Sequence, residues 1–504
     1  MTVNVKDKRA IIPDDSGSRH IRAYSFSGLI MRLVVRESGM LFPTVLFVLL
    51  MGSSIGTYGS ADIVASPSSF QDTASTKQVA QAFTLDDLFE EDDAGTNQPQ
   101  RSFQQTSSWR GFSQLEFAHT YANPAHASKL RLRSELSNLG QLSPNIKWRL
   151  SARIDYDAIY DISDFFPRQV RRDQRFELFL RENYLDVSVA DFDIRVGRQH
   201  IIWGEMVGLF FADVVSAKDM REFVLPDFDI LRIPQWAIRT EYSKNDFHAD
   251  LIWIPFASLD EIGRPGAEFY PFALPFSAPV RFLGEDRSGR NLANSNYGIR
   301  LSQLISGWDI SAFYYHSLDA TPTFYRVSSP DEPLVFQARH DEIDQAGGTV
   351  TKDLGAAVLK GEFVYTHGRR FNVTRLTEPD GLVRQNTIDY ALGLDFNLPL
   401  DVRLNLQFFQ RVFLDYDRDI FPDKQESGGS IFLQGDFLRD FEAQVLLIHS
   451  LNRSEWMFRP RLTWNFARNW RMAVGADVFN GPPAGLFGRF ANNDRVYTEL
   501  RFSF

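Results

Sequence analysis

The sequence predicts an all-β fold, a transmembrane antiparallel β-barrel of about eighteen strands, sixteen being the nearest alternative, with one loop folded into the lumen. Three observations predict it. Period-two segments run about ten to twelve residues, the length of a tilted strand crossing a bilayer, whereas soluble strands average nearer five or six. Connections alternate between short and long, as periplasmic turns and external loops do. The chain also stops on a strand, residues 495–504, with Val496, Thr498, Leu500, Phe502 and Phe504 on one face.

Composition agrees. Aromatic residues make up 14% of the 504 positions and 44 of them are Phe, yet mean hydropathy is only −0.24. Apolar bulk is therefore diluted among charges rather than gathered into the runs of about 20 residues that a spanning helix needs. Cysteine is absent, which suits a chain exported through an oxidising compartment. A net charge of −10 argues against a nucleic-acid partner, since phosphate binding needs a basic surface.

Along the chain, residues 1–61 read as a signal peptide. Arg32 and Arg36 precede the apolar run at residues 40–51, and Gly59-Ser60-Ala61 supplies small residues for cleavage. Met31 or Met40 would each give a more ordinary start. Residues 62–107 are rich in Ser, Thr, Gln and acids and read as a disordered acidic periplasmic segment. Within it, Thr84 could cap a short acidic turn carrying Leu85, Leu88 and Phe89; a solvated tail is the plainer account.

The barrel is expected over residues 108–504. Ile146, Trp148, Leu150, Ala152, Ile154 and Tyr156 alternate with Lys147, Arg149, Ser151, Arg153, Asp155 and Asp157, a sorting no helix makes. The same alternation recurs at residues 129–136, 388–397, 402–411 and 456–466. Short turns are expected at 189–190, 244–245, 306–307, 352–353, 399–400, 439–440 and 468–469. Long loops are expected at 158–174, 204–234, 257–294, 318–340 and 367–385. Leu500, Phe502 and Phe504 fit an assembly signal read by the barrel-assembly machinery, and lipid and lipopolysaccharide are the expected surroundings. This places the chain in the outer membrane, reached through the periplasm.

A barrel this wide must be narrowed by something other than wall side chains. After a strand expected at residues 192–202 comes a stretch too apolar for a free loop, with Met206, Leu209, Phe210 and Phe211. It is expected to fold inward as a constriction with Arg198, Gln199 and Trp203, and with Arg198 paired to Glu205; packing over the mouth is equally open. Lys129, Arg131, Arg133, Lys147, Arg149, Arg153, Arg181 and Arg195 form a candidate lumenal cationic strip that would favour anions. Glu135, Asp155, Asp157 and Glu182 lie within cross-strand reach and could neutralise it. The aromatic-rich stretch at 254–283, with Phe256, Phe269, Tyr270, Phe272, Phe276 and Phe282, reads as a self-packed loop or as a contact for lipopolysaccharide and cargo. His248-Ala-Asp250 and His367-Gly-Arg lack catalytic partners, and the His residues lack metal-ligand spacing. Neither an enzyme nor a cofactor is expected.

Gly197-Arg198-Gln199 with Trp203-Gly204-Glu205, Leu180 through Asp186, and Gly481-Pro-Pro-Ala-Gly-Leu-Phe-Gly-Arg-Phe490 through Tyr497 carry a resemblance. From about Gly111 to Phe504 the chain resembles a large family of uncharacterised Gram-negative outer-membrane porin-like barrels, and more distantly the alginate-export barrels. The resemblance implies a conduit partnered by a periplasmic lipid carrier and an inner-membrane transporter, hence amphiphilic or lipid-like cargo. A diffusion porin for small anionic solutes is the alternative.

Overall fold

The computed structural model describes residues 106–206, 212–271, 280–287, 289–328 and 334–504. The expected signal peptide and nearly all of the acidic segment lie outside the described residues, as do Leu209, Phe210, Phe211, Phe272 and Phe276. Thr106 and Ser107 already belong to a strand, so the barrel begins two residues before the expected boundary.

Eighteen strands form one closed antiparallel sheet. They are β1 Thr106–Thr120, β2 His126–Ser143, β3 Ile146–Asp157, β4 Phe176–Val189, β5 Phe192–Gln199, β6 Gln235–Lys244, β7 Phe247–Phe256, β8 Asn296–Ile305 and β9 Trp308–Leu318. There follow β10 Glu342–Asp353, β11 Val358–Asn372, β12 Leu382–Leu398, β13 Val402–Phe413, β14 Gln425–Leu438, β15 Phe441–Ser450, β16 Trp456–Ala467, β17 Trp470–Asn480 and β18 Arg495–Ser503. Each strand pairs with the next, and β18 pairs with β1 from Phe112↔Ser503 to Thr120↔Arg495, so no edge remains. Closure is what a bilayer demands, because unpaired backbone groups in hydrocarbon cost several kcal/mol each. Beyond the strand, Phe504 N–H donates to the Gly111 carbonyl at 2.9 Å.

Period two sets the two faces. Leu115, Leu132, Leu150, Leu392 and Ile431 are exposed on the outside, while Gln114, Glu116, Arg133, Arg153 and Asp389 are buried within. At the short-turn rim, Phe437, Phe441, Trp464, Phe466, Trp470, Phe502 and Phe504 form a continuous chain of ring contacts, with Phe441 and Trp464 stacked at 5.6 Å. Such a belt is the aromatic girdle of a membrane barrel. Short turns stay tight because their residues accept left-handed backbone, as Ser306 (φ 51°) and Gly307 (φ 75°) do together.

Two boundaries differ from expectation. The loop expected at 367–385 is shortened to residues 373–381: Arg369–Asn372 of β11 pair with residues 382–385 of β12 past a bulge at 366–369. Strand β5 ends at Gln199 rather than at residue 202. There the buried Gln199 amide donates to the carbonyls of Arg195 and Ala237, both at 3.2 Å, and the chain turns off the wall.

Candidate functional site

Residues 200–234 leave β5 and return to β6, and between them they touch the inner wall on several sides. The apolar start lines one side: Ile201, Trp203, Ala212 and Val215 pack with Ala237, Ile252, Phe313, Tyr315 and Val364 of the wall. That burial explains the apolar composition, since these side chains cover an apolar patch inside the barrel. The Trp203 indole N–H donates to Asp250 at 3.0 Å, and Asp250 also accepts from Arg239.

Polar staples follow. The Glu362 carboxylate of β11 accepts the N–H groups of Glu205 (2.5 Å), Met206 (2.9 Å) and Ala212 (3.1 Å), closing a turn that would otherwise leave donors orphaned in the bore. Glu205 meets Arg300 of β8 at 3.3 Å and the hydroxyls of Thr349 and Thr351 on β10. The expected Arg198–Glu205 pair is therefore not formed. Gly197 has φ +133°, and register sets Arg198 opposite Asn183 and Trp236, away from the loop's carboxylate.

The second half of the segment is stapled elsewhere. Glu222 pairs with Lys129 and Arg131 of β2 and lies 3.5 Å from Arg495 of β18. Burial alone would raise its carboxyl, but Arg131, Lys129 and Arg495 outweigh this and hold it well below the usual carboxylate range. Arg221 pairs with Glu177 of β4 and with Asp219. Arg459 of β16 donates to the Leu225 carbonyl at 2.7 Å, and Arg461 meets Asp227 at 3.3 Å. Arg181 donates to the carbonyls of Arg232 (2.9 Å) and Asp229. One segment thus bridges β2, β4, β8, β10, β11, β16 and β18, and narrow spaces lined largely by charged side chains lie along its flank.

The cationic strip is brought together but is largely paired. Arg133 meets Glu116 and Asp155, both at 3.0 Å; Arg131 meets Asp157; Arg149 meets Glu182 at 2.9 Å; Arg195 meets Asp186 at 2.6 Å. Arg153 contacts Asp155 at 3.4 Å and lies over the Phe179 ring. Lys147 is exposed near the short-turn rim. His200, next to Arg181, is surrounded by cations: burial, then Arg181, Arg232, Arg149 and Arg198, push its imidazole well below the usual range.

On the opposite rim the described part of the aromatic stretch packs mostly against other segments rather than on itself, while Phe256 stays exposed. Phe269 joins Phe223, Phe479, Phe487 and Phe490 in a buried cluster that ties residues 200–234 to the outer loops. Phe282 packs on Phe324 and Phe336. The Gly481–Phe490 motif wraps Glu455, whose buried carboxylate accepts Phe487 N–H at 3.1 Å. Sequence reasoning missed Glu222, Arg221, Glu362, Arg300, Arg459 and Arg461. For Glu362, Arg300, Arg459 and Arg461 the only local signal is strand parity, and Arg221 and Glu222, in a helical turn of the connecting segment, have none; neither tells what meets them across the bore.

The family model described as "Protein of unknown function (DUF1302)" matches residues 126–504. Among curated proteins none matches. Of solved structures, the chain is similar to Acinetobacter baumannii OccAB1 at 9% identity and TM-score 0.50, covering 79% of this chain and 96% of that one. Acinetobacter baumannii OccAB4 follows at 12% identity and TM-score 0.48, covering 80% and 99%. At such identity the likeness concerns the fold alone, a closed antiparallel β-barrel.

Proposed function

The chain belongs to the DUF1302 family, and from that premise we propose that it is a passive outer-membrane channel for small polar solutes, narrowed by residues 200–234. The observation that carries this reading is the stapling of that segment to several sides of the bore, at Glu205, Glu222 and Asp227. The narrow spaces along the segment are lined largely by ionised side chains, which suits a polar solute better than an acyl chain. The pairing of the strip on β2 to β5 leaves little net charge there, so that strip by itself does not make the bore anion-selective.

Planar-bilayer recording tests the reading. Wild-type protein should give a small steady conductance, and the double variant E205Q/E222Q, which frees the segment, a conductance several-fold larger. Equal conductances would overturn the constriction, and silence from both proteins would overturn the channel.

A second reading is export of an amphiphile delivered by a periplasmic lipid carrier and an inner-membrane pump. The buried aromatic cluster of Phe223, Phe269, Phe479, Phe487 and Phe490 favours it, because it ties the lumenal segment to the outer loops. On that reading wild-type protein is nearly silent, and only variants that loosen the cluster conduct.

A further inference from the structure

On β17 and β18 the lumenal face follows one register: Asp477↔Arg495, Gly475↔Tyr497, Ala473↔Glu499, Arg471↔Arg501. The upper pairings are complementary. Asp477 accepts from Arg495 at 2.8 Å, and Glu499 meets Arg461 of β16, on the far side of β17, at 2.7 Å. The lowest pairing, beside the 468–469 turn, sets two arginines at facing positions, a like-charge arrangement that destabilises a sheet.

No carboxylate relieves it by contact. Among the described residues neither Arg471 nor Arg501 makes an ion pair, and the Arg501 Nε is buried without a hydrogen-bond partner. The acids whose charges reach the pair lie nearer other cations: Asp227 and Glu499 meet Arg461 at 3.3 and 2.7 Å, and Glu135 lies 3.8 Å from Arg181. Gln114, opposite Arg501 on β1, donates to Glu116 at 3.2 Å. The Arg501 guanidinium lies 3.6 Å over the Phe112 ring, which fixes its plane while both arginines stay partly open to the lumen. In a wall where most lumenal cations have an acid, an unrelieved like-charge pair is a local conflict of the kind found at functional sites.

We propose that Arg471 and Arg501 form an oxyanion-binding site at the short-turn rim of the bore, which captures the phosphate or carboxylate group of the cargo. Two adjacent guanidinium forks suit an oxyanion, since each can donate two parallel N–H···O bonds and the anion removes their mutual repulsion. Short turns face the periplasm in outer-membrane barrels, so capture occurs on that side. The role as cargo dock rests on the channel reading; the affinity for an oxyanion does not.

Titration calorimetry of the full-length protein in detergent at low ionic strength tests this with inorganic phosphate and with hexyl phosphate. Saturable binding should weaken at least tenfold in R471Q/R501Q, and less in R471K/R501K, which keeps the charge but loses the fork. R501Q alone serves should the double variant not fold, folding being read from heat-modifiable gel migration. Equal affinity for the two probes supports the site and identifies a free oxyanion as its ligand. A tenfold preference for hexyl phosphate also supports it and identifies a headgroup carrying a tail. Absence of saturable binding to wild type, or affinity unchanged by the Gln variants, overturns the proposal. Binding by a preparation silent in bilayers keeps the site and sinks the channel reading instead.

Discussion

Glu222 and His200 hold the same segment yet answer acid differently. Glu222 is anchored by Lys129, Arg131 and Arg495 and is depressed well below its free value. A depressed carboxyl contributes stability that is full above its unfolded pKa and lost only as pH falls through the folded value. Its hold is therefore constant between pH 7 and 5. His200 is a depressed imidazole, neutral when the segment is docked. Its contribution is full above about pH 6.5 and is lost progressively as pH falls towards its depressed value in the docked state. Glu182, whose carboxylate accepts the His200 backbone N–H at 3.4 Å, is the acid beside it, and it is committed to Arg149. Wild-type conductance should accordingly rise on acidification from pH 7 to 5, and H200Q should abolish that rise; a pH-independent wild type would refute the assignment. E222Q should raise conductance at every pH in this range, because it strands buried cations at about 3–5 kcal/mol.

At the scale of elements, the lumenal segment and the outer clasp depend on backbone that side chains do not tolerate. Gly481 has φ +148°, and a Cβ there would lie 2.4 Å from the Glu455 Cβ, so the clasp around Glu455 needs glycine. G481A should cost roughly 1–3 kcal/mol of local stability and release the Phe487 and Phe490 rings from Phe223. Limited proteolysis should then cut within 481–494 while the barrel still migrates as folded; an uncut loop would contradict this role. Most strands were legible because each strand writes its two faces into its own alternation, as at residues 146–157. The apolar content of the stretch after residue 202 showed that it needs cover, but left an inward course and packing over the mouth equally open. Its partners were not legible, because Glu362, Arg300, Arg459 and Arg495 lie on strands far along the chain, and only closure of the sheet brings them across the bore.

For the whole molecule, orientation is the property on which the rest depends: Leu132 and Arg133 are sequence neighbours placed in opposite solvents. Leu132 is 49% exposed on the outer face, opposite Leu115 and Tyr156, whereas Arg133 is 4% exposed inside and doubly paired. Sequence parity separates the two residues but is identical for a soluble sandwich; strand length, turn alternation and the aromatic rim turn the pattern outward. L132R should destabilise the barrel by about 2–4 kcal/mol, the penalty for arginine near the bilayer midplane. R133L strands Glu116 and Asp155 instead, and its penalty arises inside whatever surrounds the outer face. Urea titrations in lipid vesicles and in a short-chain detergent distinguish the two faces. The L132R penalty should shrink in detergent, where water reaches the outer surface more easily, while the R133L penalty should stay nearly the same. If both penalties responded alike to the change of solvent, the two faces would not be divided between hydrocarbon and an aqueous bore.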